Sequence, residues 1–136
     1  MTGPGSRFRA LEARLHVHDL ARALQFYVGV LGFRVTSVFP DTVAPIFAML
    51  ARDHVYLQLG GAGGTRAVET PSTCTLWLDV TDAQGLWEQL RTMTTIEWGP
   101  QVFFYGRREF AVRDPDGNLL VFSEETSDPP SCEPNR

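Results

Sequence analysis

Leu15-His16-Val17-His18-Asp19 returns as Leu78-Asp79-Val80-Thr81-Asp82, and the step from Asp19 to Asp82 is 63 residues. In each copy apolar and polar residues alternate up to the aspartate, the period-two pattern of a strand with one buried face. In each, the aspartate then opens a helical spacing of apolar residues. After Asp19 these are Leu20, Ala23, Leu24, Tyr27, Val28 and Leu31; after Asp82 they are Ala83, Leu86, Trp87, Leu90 and Met93. Asp is a strong N-cap because its carboxylate accepts from the unpaired N–H groups of the first turn. Gly32 supplies a left-handed stop to the first helix.

Outward from this stretch the order continues. Extended runs are expected at 33–39 and 46–50, a turn at Ala51-Arg52-Asp53, and a further run at 54–59. In the second half they are expected at 95–98, 103–105 and 109–113, followed by Asp114-Pro115-Asp116-Gly117 and a last run at 119–123. Asp first, Pro second and Gly last is type I turn chemistry. Arg52 and Pro115 are again 63 residues apart, so the offset is expected to hold through the hairpins. The pattern predicts an α+β fold of two tandem βαβββ modules, forming a curved mixed sheet around a cleft. The whole chain, 1–136, reads as a single domain. Module one covers about 8–60, a Gly-rich connector follows, module two covers about 73–125, and a Pro-rich tail at 126–136 is expected to fray.

A length of 136 residues with 43% hydrophobic and 21% charged residues suits one domain with a real core. The net charge of -4 argues against a nucleic-acid partner, which needs a basic face. No apolar run is long enough to cross a membrane, and no leader pattern opens the chain, so a cytoplasmic protein is the expectation. Gly60–Gly64 lacks the Lys-Ser/Thr that would make it a phosphate loop. Cys74 and Cys132 read as free thiols, Cys74 as a packed one.

Strand alternation sorts the side chains. Ala13, Leu15 and Val17 face the first helix, which leaves Glu12, Arg14, His16 and His18 on the opposite face. Leu76, Leu78 and Val80 face the second, which leaves Thr75, Trp77, Asp79 and Thr81 opposite. A polar face that carries an indole suits a ligand cleft. Trp77 leads the candidate ligand contacts, with Phe47, Met49 and Tyr56 on the matching face and Phe39 and Phe103 at the rim. Asp79, Arg14 and His16 complete the set. Arg14 beside Glu12 is either a carboxylate clamp or an ion pair. The aromatic residues are either ligand contacts or part of a dimer interface.

Several strings carry a family resemblance: Val17-x-Asp19-Leu20, Phe26-Tyr27-x-x-x-Leu31-Gly32-Phe33, and Tyr105-Gly106-x-Arg108-Glu109-Phe110-x-Val112-x-Asp114-Pro115-Asp116-Gly117-Asn118. Over about residues 10–124 the chain resembles the vicinal oxygen chelate superfamily of glyoxalases, ring-cleaving dioxygenases and bleomycin-resistance proteins. Trp77-x-x-Val80-Thr81-Asp82, Gly99-Pro100 and Arg108–Pro115 are most similar to the bleomycin-resistance group, although the segment between Gly99-Pro100 and Arg108 is shorter. The resemblance implies metal positions at Glu12, Gln58, Thr75 and Val121, which also keep the 63-residue step. Of these, Glu12 is a strong ligand, Gln58 and Thr75 are weak, and Val121 has no donor atom. A catalytic metal needs about three good ligands and an open position. An alternative set of Glu12, His16 and His18 fails on reach, since Glu12 is about 13 Å from His16 along the strand.

The expected function is therefore metal-independent and needs no cofactor. The protein would sequester a hydrophobic or aromatic antibiotic of bleomycin type, one with a cationic tail included. The alternative is a metal-dependent lyase or dioxygenase of the same superfamily with altered ligands. The partners expected are the small-molecule ligand and a second copy of the chain, in a homodimer.

Overall fold

The computed structural model describes residues 5–41, 45–60 and 73–131. The connector at 61–72, Cys132 and the end of the tail lie outside the described residues. Module one runs β1 (Ala13–His16), α1 (Leu20–Leu24) with a π-helical continuation (Gln25–Val30), β2 (Arg34–Phe39), β3 (Phe47–Arg52) and β4 (Val55–Gly60). Module two runs β5 (Thr75–Asp79), α2 (Ala83–Leu90), β6 (Ile96–Phe103), β7 (Arg107–Arg113) and β8 (Leu119–Glu125). Each module builds a four-stranded mixed sheet, ordered β1-β4-β3-β2 and β5-β8-β7-β6. The first strand pairs parallel with the last, and the other pairs are antiparallel.

The repeat survives in atomic register. Leu15 pairs with Leu59 and Leu78 with Phe122, both members moved by 63 residues. Asp19 and Asp82 both cap their helices, accepting from the N–H of Arg22 and Gly85. The hairpin offset is corrected to 62, because Ala48 and Leu50 correspond in burial and pairing to Phe110 and Val112. Module one turns through Asp53-His54, two residues later than expected at its start, since Ala51 and Arg52 belong to β3. Arg52 Nη1 donates to Leu31 O over 2.6 Å and ties that strand end to the helix end. Module two needs the wider loop 114–118, where the Asp114 carboxylate accepts from the N–H groups of Asp116 and Asn118.

The first helix also departs from simple periodicity. Leu31 N donates to Phe26 O, a step of five residues that widens the turn. Phe26 therefore enters the core, and Val28, expected there, is turned out. The segment ends in an αL cap, with Gly32 N on Val28 O and Gly32 at φ 75°, and Phe33 N reaches back to Tyr27 O. Met93 is likewise outside the core, because α2 ends at Leu90. The expected runs at 95–98 and 103–105 resolve into the single eight-residue strand β6, bulged around Gly99-Pro100, with Phe104 and Tyr105 in the turn that follows. Pro100 has no N–H to offer a ladder, so a bulge is where a strand accommodates it.

One core joins the modules. Leu15, Val17, Leu20, Tyr27 and Leu59 share it with Leu90, Phe110, Leu120 and Phe122. Tyr27 Oη donates to Asp114 Oδ2 over 2.7 Å, and His18 N donates to Asp116 Oδ1 over 3.0 Å. Residues 126–131 are hydrogen-bonded to module two: Thr126 N donates to Gly106 O, and Ser131 N donates to Val102 O while its hydroxyl accepts from Val102 N. No helix among the described residues is long and apolar enough to cross a membrane.

Candidate functional site

Because the helix-side faces of both sheets are spent on the common core, the opposite faces are open. The alternation read from sequence holds on them. Arg14, His16 and Glu12 are exposed in module one, and Thr75, Trp77 and Asp79 in module two. Trp77 is 59% exposed and Tyr56 is 48% exposed, large areas for aromatic side chains to leave in water.

On module one the open face is aromatic and cationic. Phe39 and Phe47 are paired across β2 and β3 and stack at 4.7 Å between centroids, with 16° between planes. The Arg14 guanidinium carbon lies 4.4 Å from the Phe47 centroid. Arg14 Nε donates to Gln58 Oε1 and Gln58 Nε2 donates to Glu12 Oε2, each over 2.9 Å. Arg14 and Glu12 form no ion pair; Gln58 stands between them. Met49, opposite Gln58 in the β3–β4 ladder, is half-buried on the same face.

On module two the face is built around a network absent from the sequence reading. Arg107 donates from Nε to Ser123 Oγ over 2.7 Å and from Nη2 to Ser123 O and Asp79 Oδ1. Ser123 Oγ donates onward to Glu109 Oε2 over 2.7 Å, and Tyr105 Oη donates to Glu109 Oε1 over 2.5 Å. Glu109 is 1% exposed, so these donors satisfy a carboxylate that burial alone would penalise. Phe103 stacks on Tyr105 at 5.5 Å and meets Trp98 edge-on at 5.9 Å. The period-two alternation of β7, which sends Phe110 and Val112 to the core, carries the signal that would have found Arg107 and Glu109.

The four positions implied as metal ligands do not make a metal site. Val121 is buried and has no donor atom, and the Gln58 oxygen is taken by Arg14. Among the described residues, no three His, Cys, Asp or Glu side chains are grouped to hold an ion. A guanidinium beside Glu12 and Gln58 further opposes a cation there. Cys74 is a free thiol beside Asp114, and partial burial and that negative charge push its pKa up, away from a nucleophile's range.

A cavity of about 780 Å³ opens elsewhere, between the module-one hairpin tip and the start of α2. Its walls include the core-side residues Leu31, Phe33, Leu78, Val80 and Phe122, and Asp79 is the one candidate contact that reaches it. It is a gap between the modules on the helix side. The hydrogen-bonded polar side chains and stacked rings described above are on the open faces.

The sequence pattern of the Glyoxalase/Bleomycin resistance protein/Dioxygenase superfamily matches residues 9–122. No curated protein sequence matches the chain. Among solved structures, TioX from Micromonospora sp. ML1 superposes with a TM-score of 0.74 at 21% identity, covering 87% of this chain and 99% of that one. Lactoylglutathione lyase from Agrobacterium tumefaciens gives 0.70 at 18% identity, over 90% of this chain and 96% of that one. The bleomycin-binding protein of bleomycin-producing Streptomyces verticillus, in complex with copper(II)-bleomycin, gives 0.66 at 24% identity, over 91% and 100%.

Proposed function

The chain belongs to the glyoxalase/bleomycin resistance protein/dioxygenase superfamily, and from that premise we propose that it is a metal-independent binder that sequesters a small aromatic molecule. The candidate ligand class is an antibiotic of bleomycin type. The observation that carries this reading is the pairing of a half-exposed Trp77 with a donor set unfit for a metal. An indole in that position gains by covering something flat, and stacked rings hold heteroaromatic systems well. The Phe39–Phe47 stack offers a second such surface. The action is stoichiometric burial in the cytoplasm: the drug is withheld from its target and no bond changes.

The open faces turn away from the shared core, so one chain does not enclose a ligand between them. A homodimer that sets module one of one copy against module two of the other would close two clefts. Thermal denaturation with bleomycin-type drugs and with divalent metals tests the reading. A ligand at about a hundred times its Kd should stabilise the fold by about 2.7 kcal/mol. Stabilisation by drug and not by zinc, nickel, manganese or iron is the expected result. A purified protein carrying about one such metal per chain, lost on Glu12→Ala, would overturn it.

A further inference from the structure

We propose that Arg14 takes the metal's place on the open face of module one, and that it anchors the ligand there through a planar carboxylate. The inference rests on the reading that this face receives an aromatic small molecule, and it selects among such molecules those that carry a carboxylate.

Arg14 pairs with Gln58 in the parallel ladder, so its side chain emerges beside two of the positions where a metal would draw its ligands. Two contacts fix the guanidinium and a third orients one of its partners. Nε is held by Gln58 Oε1, the Gln58 amide is itself oriented by Glu12, and the guanidinium carbon lies over the Phe47 ring. Phe47 is in turn backed by Phe39. The contacts made by the guanidinium use Nε and its π system. Nη1 and Nη2 make no hydrogen bond among the described residues.

An arginine merely neutralising Glu12 would spend its terminal nitrogens on that carboxylate. Instead a neutral amide separates the two, and the outer edge of the fork stays open. A guanidinium already fixed in plane and rotation loses little further freedom when it binds. Its two free N–H groups match the paired oxygens of a carboxylate, which they hold in parallel, charge-assisted hydrogen bonds. A carboxylate bound in this way lies in the guanidinium plane. An arene conjugated to it extends that plane beside the Phe47 ring. A divalent ion would hold a ligand here by coordination; a planar cation instead holds the two oxygens of one carboxylate by hydrogen bonding.

Calorimetric titration of the full chain with 2-naphthoate and with 2-naphthamide tests the inference, since the two probes share a ring system and differ in the anchoring group. Wild type is expected to bind the acid about ten- to a hundred-fold more tightly, the range for hydrogen bonds to a charged group. Arg14→Gln should abolish that preference by weakening the acid alone. Arg14→Lys, which keeps the charge and loses the fork, should retain part of it. Melting curves without ligand establish that the variants are folded, and should Arg14→Gln fail to fold, the lysine variant carries the comparison. Equal binding of both probes by wild type, or a preference that survives Arg14→Gln, overturns the role of Arg14 and leaves aromatic binding intact. Failure of wild type to bind either probe overturns the aromatic reading and this inference together.

Discussion

Tyr27 and Asp114 are 87 residues apart and share one buried hydrogen bond. Burial first, and then the charge of Asp114, pushes the phenol's pKa far above its ordinary value. The folded chain therefore holds this proton more tightly than the unfolded chain does. That contribution is complete below the unfolded phenol's pKa of about 10 and is lost as pH rises beyond it. Tyr27→Phe should cost about 1–3 kcal/mol at neutral pH, as for a buried acceptor deprived of a donor. Its melting temperature should also fall less steeply than that of wild type from about pH 9 to about pH 11. Parallel slopes for the two proteins would show that the phenol does not titrate in this way. Trp77 is the opposite kind of residue, because the core does not use it. Trp77→Ala should leave the fold intact and weaken binding of a flat ligand by about 1–3 kcal/mol, the range for ring stacking on an aromatic side chain. An unchanged affinity in the folded variant would remove Trp77 from the site.

Among elements, β6 carries the sharpest local requirement. Gly99 has φ 88°, and a Cβ there would come within 2.8 Å of Phe110 Cα and closer still to the Glu109 carbonyl oxygen. Both are backbone atoms with little room to yield. Gly99→Ala should therefore destabilise the protein by at least about 3 kcal/mol, read from denaturant unfolding; a loss below about 1 kcal/mol would mean that the bulge relaxes freely. Bulges of this kind mark what was not legible in the sequence. Alternation and capping located β1, β5, both helices and the turn at 114–117, because each depends on near neighbours in the chain. The two runs that join as β6, the five-residue step at Phe26–Leu31 and the one-residue slip between the hairpins all depend on tertiary fit. Alternation was enough to place Trp77, Arg14 and Tyr56 on the open faces. It left Arg14 as either a carboxylate clamp or an ion pair with Glu12, and the pair is not formed because Gln58 stands between the two. Glu109 was visible as part of a family string, but its burial beneath Tyr105 and Ser123 required three strands in place.

At the scale of the whole molecule, the two open faces are the outstanding unfilled surface, and a second copy is the partner proposed for them. Sedimentation at micromolar concentration without ligand should give the mass of a dimer, and a monomeric mass would count decisively against a cleft shared between chains. The shared core has a consequence in time. The helix of module one shares one core with Phe110, Leu120 and Phe122, which are among the last core residues to be made. At about 5–20 residues per second, the 87 residues from Tyr27 to Asp114 take roughly 4–17 s to synthesise. Throughout that interval the first half has emerged and the second half's share of the common core does not yet exist. Speed of translation, and whatever shields nascent chains in that window, thus bears directly on the yield of folded protein.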